Sequence, residues 1–135
     1  MAGYGMKNPT LLCVDDDLGI LEFYETVLGS NGYQVLLAED GMQALAVFQE
    51  KVKEIDAVIS DYEMPGMNGM ELASELKRHN ARLPVIMISG CVPLLDNMRH
   101  SVDAVFSKGV PAEEILARIE HLLCLKREVD GCAIS

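Results

Sequence analysis

The sequence predicts a small, doubly wound α/β domain: a parallel sheet with helices on both faces. Three observations predict it. Short apolar runs recur along the chain, and most are continuous rather than alternating, the pattern of strands buried on both faces. Between the runs, apolar residues recur with the 3.6-residue period of a helix. Strands that alternate with helices imply βαβ units with right-handed crossovers. The 135 residues suit one domain, which at this size needs no disulfide or metal to fold.

The elements follow in order. Residues 1–9 read as a Gly-rich tail. The first apolar run is Thr10–Val14. A helix follows, with Leu18, Leu21, Glu25 and Leu28 near one line and Ile20, Tyr24 and Val27 beside it. Gly29 and Gly32 suit its end. The second run is Tyr33–Leu37. Asp40, with Gln43 three residues on, then reads as an N-cap with a reciprocal partner, and Ala44, Leu45, Phe48 and Val52 make the stripe. The third run is Ile55–Ser60. Asn68 and Glu71 repeat the capping pattern before Leu72, Ala73 and Leu76. The fourth run is Pro84–Ile88. The fifth and weakest is Ala104–Ser107. Pro111, Glu113 and Glu114 suit a helix start and its dipole. Ile115, Leu116, Ile119, Leu122 and Leu123 form the clearest stripe of all. Residues 126–135 read as a tail, so the domain is expected over 10–125.

Composition narrows the function. Hydrophobic residues make up 50% and charged residues 24%, which argues against a disordered chain. The net charge of −10 argues against direct nucleic-acid binding, which needs clustered Lys and Arg, and against an anionic membrane surface. No apolar run approaches the ~20 residues of a membrane span. Residues 1–9 lack a signal-peptide pattern, so the cytoplasm is the expected compartment. Cys13, Cys91, Cys124 and Cys132 contain no C-x-x-C pair, so neither a disulfide framework nor a zinc site is expected. Cys13 reads as a small buried hydrophobe. His79, His100 and His121 read as surface residues.

The chemistry collects after the apolar runs. In an open parallel sheet, ligands bind outside the carboxyl ends of the strands. Asp15, Asp16 and Asp17 follow the first run, Asp61 the third, Ser89 the fourth and Lys108 the fifth. With strand order 2-1-3-4-5, these four strands are contiguous. Their carboxylates, hydroxyl and ammonium then meet in one crevice. Clustered carboxylates raise one another's pKa or demand a cation. Oxygen ligands without Cys or His select a hard ion such as Mg²⁺. A carboxylate beside Mg²⁺ and Lys108 is a plausible nucleophile toward phosphorus, and Asp61, on the central strand, is the candidate. Any single Asp after a strand commonly caps a helix, and Asp17 fits that role.

These residues resemble the receiver domain of two-component response regulators over about Thr10 to Leu125. The motifs are LLCVDDD at Leu11–Asp17, VISDYEMPGMNGMEL at Val58–Leu72, VIMISG at Val85–Gly90 and SKG at Ser107–Gly109. The resemblance implies a flavodoxin-like three-layer sandwich, with a five-stranded parallel sheet of order 2-1-3-4-5 and five helices. It implies Asp61 as phosphoacceptor and Mg²⁺ as cofactor. Asp16 would bind the metal directly, Asp15 through water, and the Glu63 backbone carbonyl would be a further ligand beside Asp61. Lys108 would bind the phosphoryl group, and Ser89 would turn its hydroxyl toward it. Pro65 and Gly66 would shape the loop. The implied partners are a sensor histidine kinase or phosphotransfer protein, and a downstream effector protein. Such a domain is not an enzyme beyond catalysing its own phosphorylation and dephosphorylation. A homodimer through the last helices is compatible with the sequence.

The chain departs from the family pattern at three places. Gly109 stands where Pro usually follows the Lys. Val105 occupies the usual aromatic switch position, and the neighbouring Phe106 would face the other side of the strand. Ser89 and Lys108 lie a few positions closer than usual, so the fourth helix, within Val92–Ser101, is expected to be short or irregular, as Pro93 also suggests. Two other readings use the same residues. One is a phosphorylation-independent receiver-like binding module. The other is a haloacid dehalogenase-type phosphatase with Asp15 as nucleophile and Asp17 as acid.

Overall fold

In the computed structural model, which describes residues 8–90 and 100–134 with side chains as far as Lys126, the apolar runs become strands. They are β1 (Thr10–Val14), β2 (Gln34–Ala38), β3 (Ile55–Asp61), β4 (Val85–Ser89) and β5 (Ala104–Ser107). All pairings are parallel, and the sheet order is β2-β1-β3-β4-β5. Helices α1 (Leu18–Ser30), α2 (Gly41–Glu50), α3 (Gly69–His79) and α4 (Ala112–Ile134) complete the described elements. The architecture is the flavodoxin-like fold expected from the sequence.

Alternation within each strand divides the core into two layers. Leu12, Val14, Val58, Val85 and Met87 face Ala44 and Phe48 of α2 and Leu72 and Leu76 of α3. Leu11, Cys13, Ile59, Ile86 and Ile88 face Leu21, Tyr24 and Leu28 of α1 and Ile115, Ile119 and Leu123 of α4. Both faces of β1, β3 and β4 are therefore dry, which explains why these runs are continuous in sequence. The edge strand β2 is more open.

The caps follow the expected chemistry. Asp17 accepts from the N–H groups of Gly19 and Ile20 at the start of α1. Asp40 accepts from Gln43 N at 2.8 Å, and the Gln43 side chain returns to the N–H of Glu39 rather than that of Asp40. Asn68 and Glu71 form a complete capping box, with both bonds at 2.9 Å.

Two differences from the expectation have plain causes. The last helix continues through 126–134, where a tail was expected; Lys126, Arg127 and Glu128 are good helix formers and no proline interrupts them. The fourth helix expected within 92–101 falls mostly on 91–99, outside the described residues, and so do Cys91 and Pro93. Four helices thus stand among the described residues where five were expected.

Gly69 sets how closely α3 approaches the end of β3. A Cβ there would stand 2.4 Å from the backbone oxygen of Asp61 and 2.6 Å from Met87 Sδ. Gly69 N also donates to Tyr62 O at 2.9 Å. Gly69→Ala should therefore lower stability by about 1–3 kcal/mol through overpacking. Gly29→Ala, whose Cβ would meet nothing within 4 Å, should raise stability by up to about 1 kcal/mol through helix propensity. Urea unfolding midpoints check both.

Candidate functional site

Register brings the polar residues together. Val14 pairs with Ser60, so Asp15 and Asp61 come next on adjacent strands. Asp61 pairs with Ile88, which places Ser89 one step further on. Ser89 pairs with Ser107, and Lys108 N donates to Ser89 O at 3.0 Å. Asp61 and Ser89 are the last residues of their strands, which run one residue beyond the ends expected from sequence. That single residue buries them: Asp61 is 2% exposed and Ser89 fully buried.

Ligand oxygens of Asp15, Asp16 and Asp61 all lie within 4.8 Å of one another. Asp15 is buried as well, at 4% exposure, while Asp16 is exposed. Each charged pair at this distance repels by roughly 3 kcal/mol at an effective dielectric near 20. Asp15 Oδ1 accepts from Asp17 N at 2.9 Å. The two buried oxygens of Asp61 receive no hydrogen bond of good geometry. Lys108 Nζ stands 3.4 Å from Asp61 Oδ1, with its own side chain 43% exposed.

Burial pushes the Asp15 carboxyl up to about 6; the Asp17 N–H opposes the rise and the charge of Asp61 adds to it. Asp61 is raised by burial first and by Asp16, while Lys108 and the Glu63 N–H pull it down. Burial alone would lower the Lys108 ammonium, yet Asp61, Asp15 and Glu63 together raise it. The ammonium is thus held charged beside a carboxylate pair it cannot neutralise. Buried oxygens without partners and an oxygen-only donor set fit a hard divalent cation such as Mg²⁺.

Three features escaped sequence reasoning. The Glu63 side chain reaches the rim of the site: Oε1 accepts from Gly90 N at 3.2 Å. Tyr24, in the helical stripe of α1, lies near the carboxylates; burial raises its hydroxyl well above the ordinary range, and the charges of Cys13, Asp15 and Asp61 add to the rise. An apolar cleft of about 260 Å³ opens between α1 and α4, where Ile20, Phe23, Tyr24 and Ile115 meet Asp15 and Lys108. Only Tyr24 carried a signal in the sequence, as a polar tip on an otherwise apolar stripe. The cap role of Asp17 is as expected: its carboxylate is turned to the start of α1.

A 2-1-3-4-5 parallel sheet with an acidic pocket and a lysine at its carboxyl edge defines a signalling domain of receiver type. Residues 11–120 match the response regulator receiver domain, and the chain belongs to that family, which serves two-component signalling. It is 37% identical over 101 residues to the transcriptional regulatory protein GlrR of Escherichia coli K12, covering 75% of this chain and 22% of that protein. It is 31% identical over 128 residues to response regulator MprA of Mycolicibacterium vanbaalenii, covering 93% of this chain and 54% of that protein. The chain thus spans between about a fifth and about half of these relatives. Among solved structures, a receiver domain from Clostridium thermocellum superposes with a TM-score of 0.84 at 29% identity, over 90% of this chain and 98% of that one. The response regulator TrrA from Thermotoga maritima, in complex with Mg²⁺-BeF, superposes with a TM-score of 0.78 at 29% identity, over 87% and 99%.

The raised Asp15 carboxyl has a consequence for stability without metal. A carboxyl whose pKa is higher folded than unfolded stabilises fully below the unfolded value, near 4, and loses that contribution as pH rises through about 6. In EDTA, Asp15→Asn should match the parent protein at pH 4 and exceed it at pH 7.5 by about 1–3 kcal/mol. Urea unfolding of both proteins across that range checks the sign.

Proposed function

We propose that this chain is a Mg²⁺-dependent phosphoacceptor. Asp61 takes a phosphoryl group from a histidine of a sensor kinase or phosphotransfer protein, and the domain then signals to an effector protein. One observation carries the reading: Asp61 is buried with both oxygens free of good hydrogen bonds, between two further carboxylates and Lys108. The compartment we propose is the cytoplasm; no described helix is long and apolar enough to cross a membrane. We take residues 10–125 as the domain and 1–9 and 126–135 as its flanks.

An Asp61 oxygen forms the new bond to phosphorus as the phosphorus–nitrogen bond of the donor histidine breaks. The leaving imidazole keeps the electron pair and takes up a proton. Lys108 moves from the Asp61 oxygen to a phosphoryl oxygen, holding charge where it develops. Asp16, Asp61 and the Glu63 carbonyl would hold the metal, with Asp15 acting through water. Bound there, the cation would neutralise charge on the phosphoryl oxygens. Ser89 then turns its hydroxyl to the phosphoryl group, and the adjoining loops shift population. The apolar cleft beside Asp15 and Lys108 offers a partner's apolar side chain a place next to the acceptor.

A phosphorylation-independent binding role draws on one observation. The turn after Lys108 is built by Gly109 at φ +91°, without the rigid proline of the family pattern. A phosphatase with Asp17 as acid draws less support, because the Asp17 carboxylate is engaged in capping α1.

Incubation with a small acyl-phosphate donor and Mg²⁺ should add one phosphoryl group by intact mass. Asp61→Asn or excess EDTA should abolish the addition, and Lys108→Ala should slow it at least tenfold. Equal labelling of the Asp61→Asn protein would refute the assignment.

A further inference from the structure

The Glu63 side chain does something at this pocket that a metal-ligating carbonyl does not require. Its Oε1 lies 3.2 Å from Gly90 N and accepts that hydrogen bond across two loops. Gly90 follows Ser89 directly, so its N–H stands at the carboxyl end of β4, where exposed amides collect anions. Lys108 passes over the same glycine: a Cβ on Gly90 would lie 3.4 Å from Glu63 Oε1 and 3.6 Å from Lys108 Cδ. The two side chains therefore converge at one point of the rim. The charge of Glu63 is also among those that raise Lys108.

We propose that the Glu63 carboxylate is a resident anion of the phosphoryl pocket, occupying the Gly90 amide and facing Lys108 until a phosphoryl group displaces it. The inference rests on Asp61 being the phosphoacceptor. A phosphoryl group on Asp61 brings two negative charges beside Lys108 and seeks the same donors. Like charges cannot share them at this distance, so Glu63 must swing out. It can do so, because its residue is exposed and, among the described residues, its side chain is held by one hydrogen bond at this rim. Its departure frees the Gly90 amide at the carboxyl end of β4. Glu63 thus opposes occupancy of the pocket.

The test uses the full chain and beryllofluoride, a non-covalent phosphoryl mimic, at saturating Mg²⁺. Glu63→Gln removes the charge and keeps an acceptor oxygen; Glu63→Ala removes both. Both should bind beryllofluoride about tenfold more tightly than the parent, and the gain should shrink at about 1 M salt, as a charge effect does. In the unliganded protein, the Gly90 amide proton resonance should move in Glu63→Ala and much less in Glu63→Gln. A parent protein that binds as tightly as the variants, with binding lost in Asp61→Asn, overturns the resident-anion inference alone. Weaker binding by the variants overturns it too. No beryllofluoride binding by any of these proteins overturns the phosphoacceptor reading, and this inference with it.

Discussion

The crowding of carboxylates at the end of the central strand is the constraint on which the rest of the structure depends. Asp15 and Asp61 are buried, and with Asp16 they place ligand oxygens within 4.8 Å of one another. Lys108 answers one oxygen at 3.4 Å and leaves the others uncompensated. Such a cluster opposes folding when ionised, which is why burial and mutual repulsion raise Asp15 and Asp61 together. It persists because the groups are held there by main-chain hydrogen bonds that the carboxylates do not control. Asp15 N donates to Ala38 O, Tyr62 N to Ile88 O and Lys108 N to Ser89 O. Asp15 and Lys108 are thus pinned by their own N–H groups to a neighbouring strand, and Asp61 by the N–H of the residue that follows it.

The sheet can hold that arrangement because both its faces are filled. The α2–α3 layer and the α1–α4 layer each bury a separate set of strand residues. A strand squeezed from both sides cannot slip by one residue without exchanging its two sets of side chains. Register is therefore rigid, and rigid register fixes where the polar groups emerge. The loop after Asp61 is tightened in the same way. Gly69 lets α3 come within contact of the Asp61 backbone, and the capping box at Asn68 starts the helix at that point.

Much of this was legible in the sequence, for physical reasons. Continuous apolar runs announce doubly buried strands, and the strand order was what the resemblance to receiver domains implied. The caps at Asp17, Asp40 and Asn68 were readable because capping is local chemistry. Other features were not local. Asp61 and Ser89 close their strands rather than follow them, because pairing with the neighbouring strand extends each by one residue. The Glu63–Gly90 bond joins residues 27 positions apart, and no pattern in either segment announces it. The length of α4 was missed because its final turns lack the apolar stripe that identified its beginning. The strand-period argument for β5 did hold: Val105 joins the α2–α3 layer and Phe106 the α1–α4 layer.

That last division bears on how a change at the pocket would reach the surface. The β5 aromatic lies on the α1–α4 side, with the Arg118 guanidinium 5.8 Å from its ring centre, while the side facing α2 and α3 carries only the smaller Val105. A ring that must move to make room displaces many atoms; a valine displaces few. The bulk of β5 is therefore packed toward the α1–α4 face, the face that also holds Tyr24 and the apolar cleft beside Asp15 and Lys108.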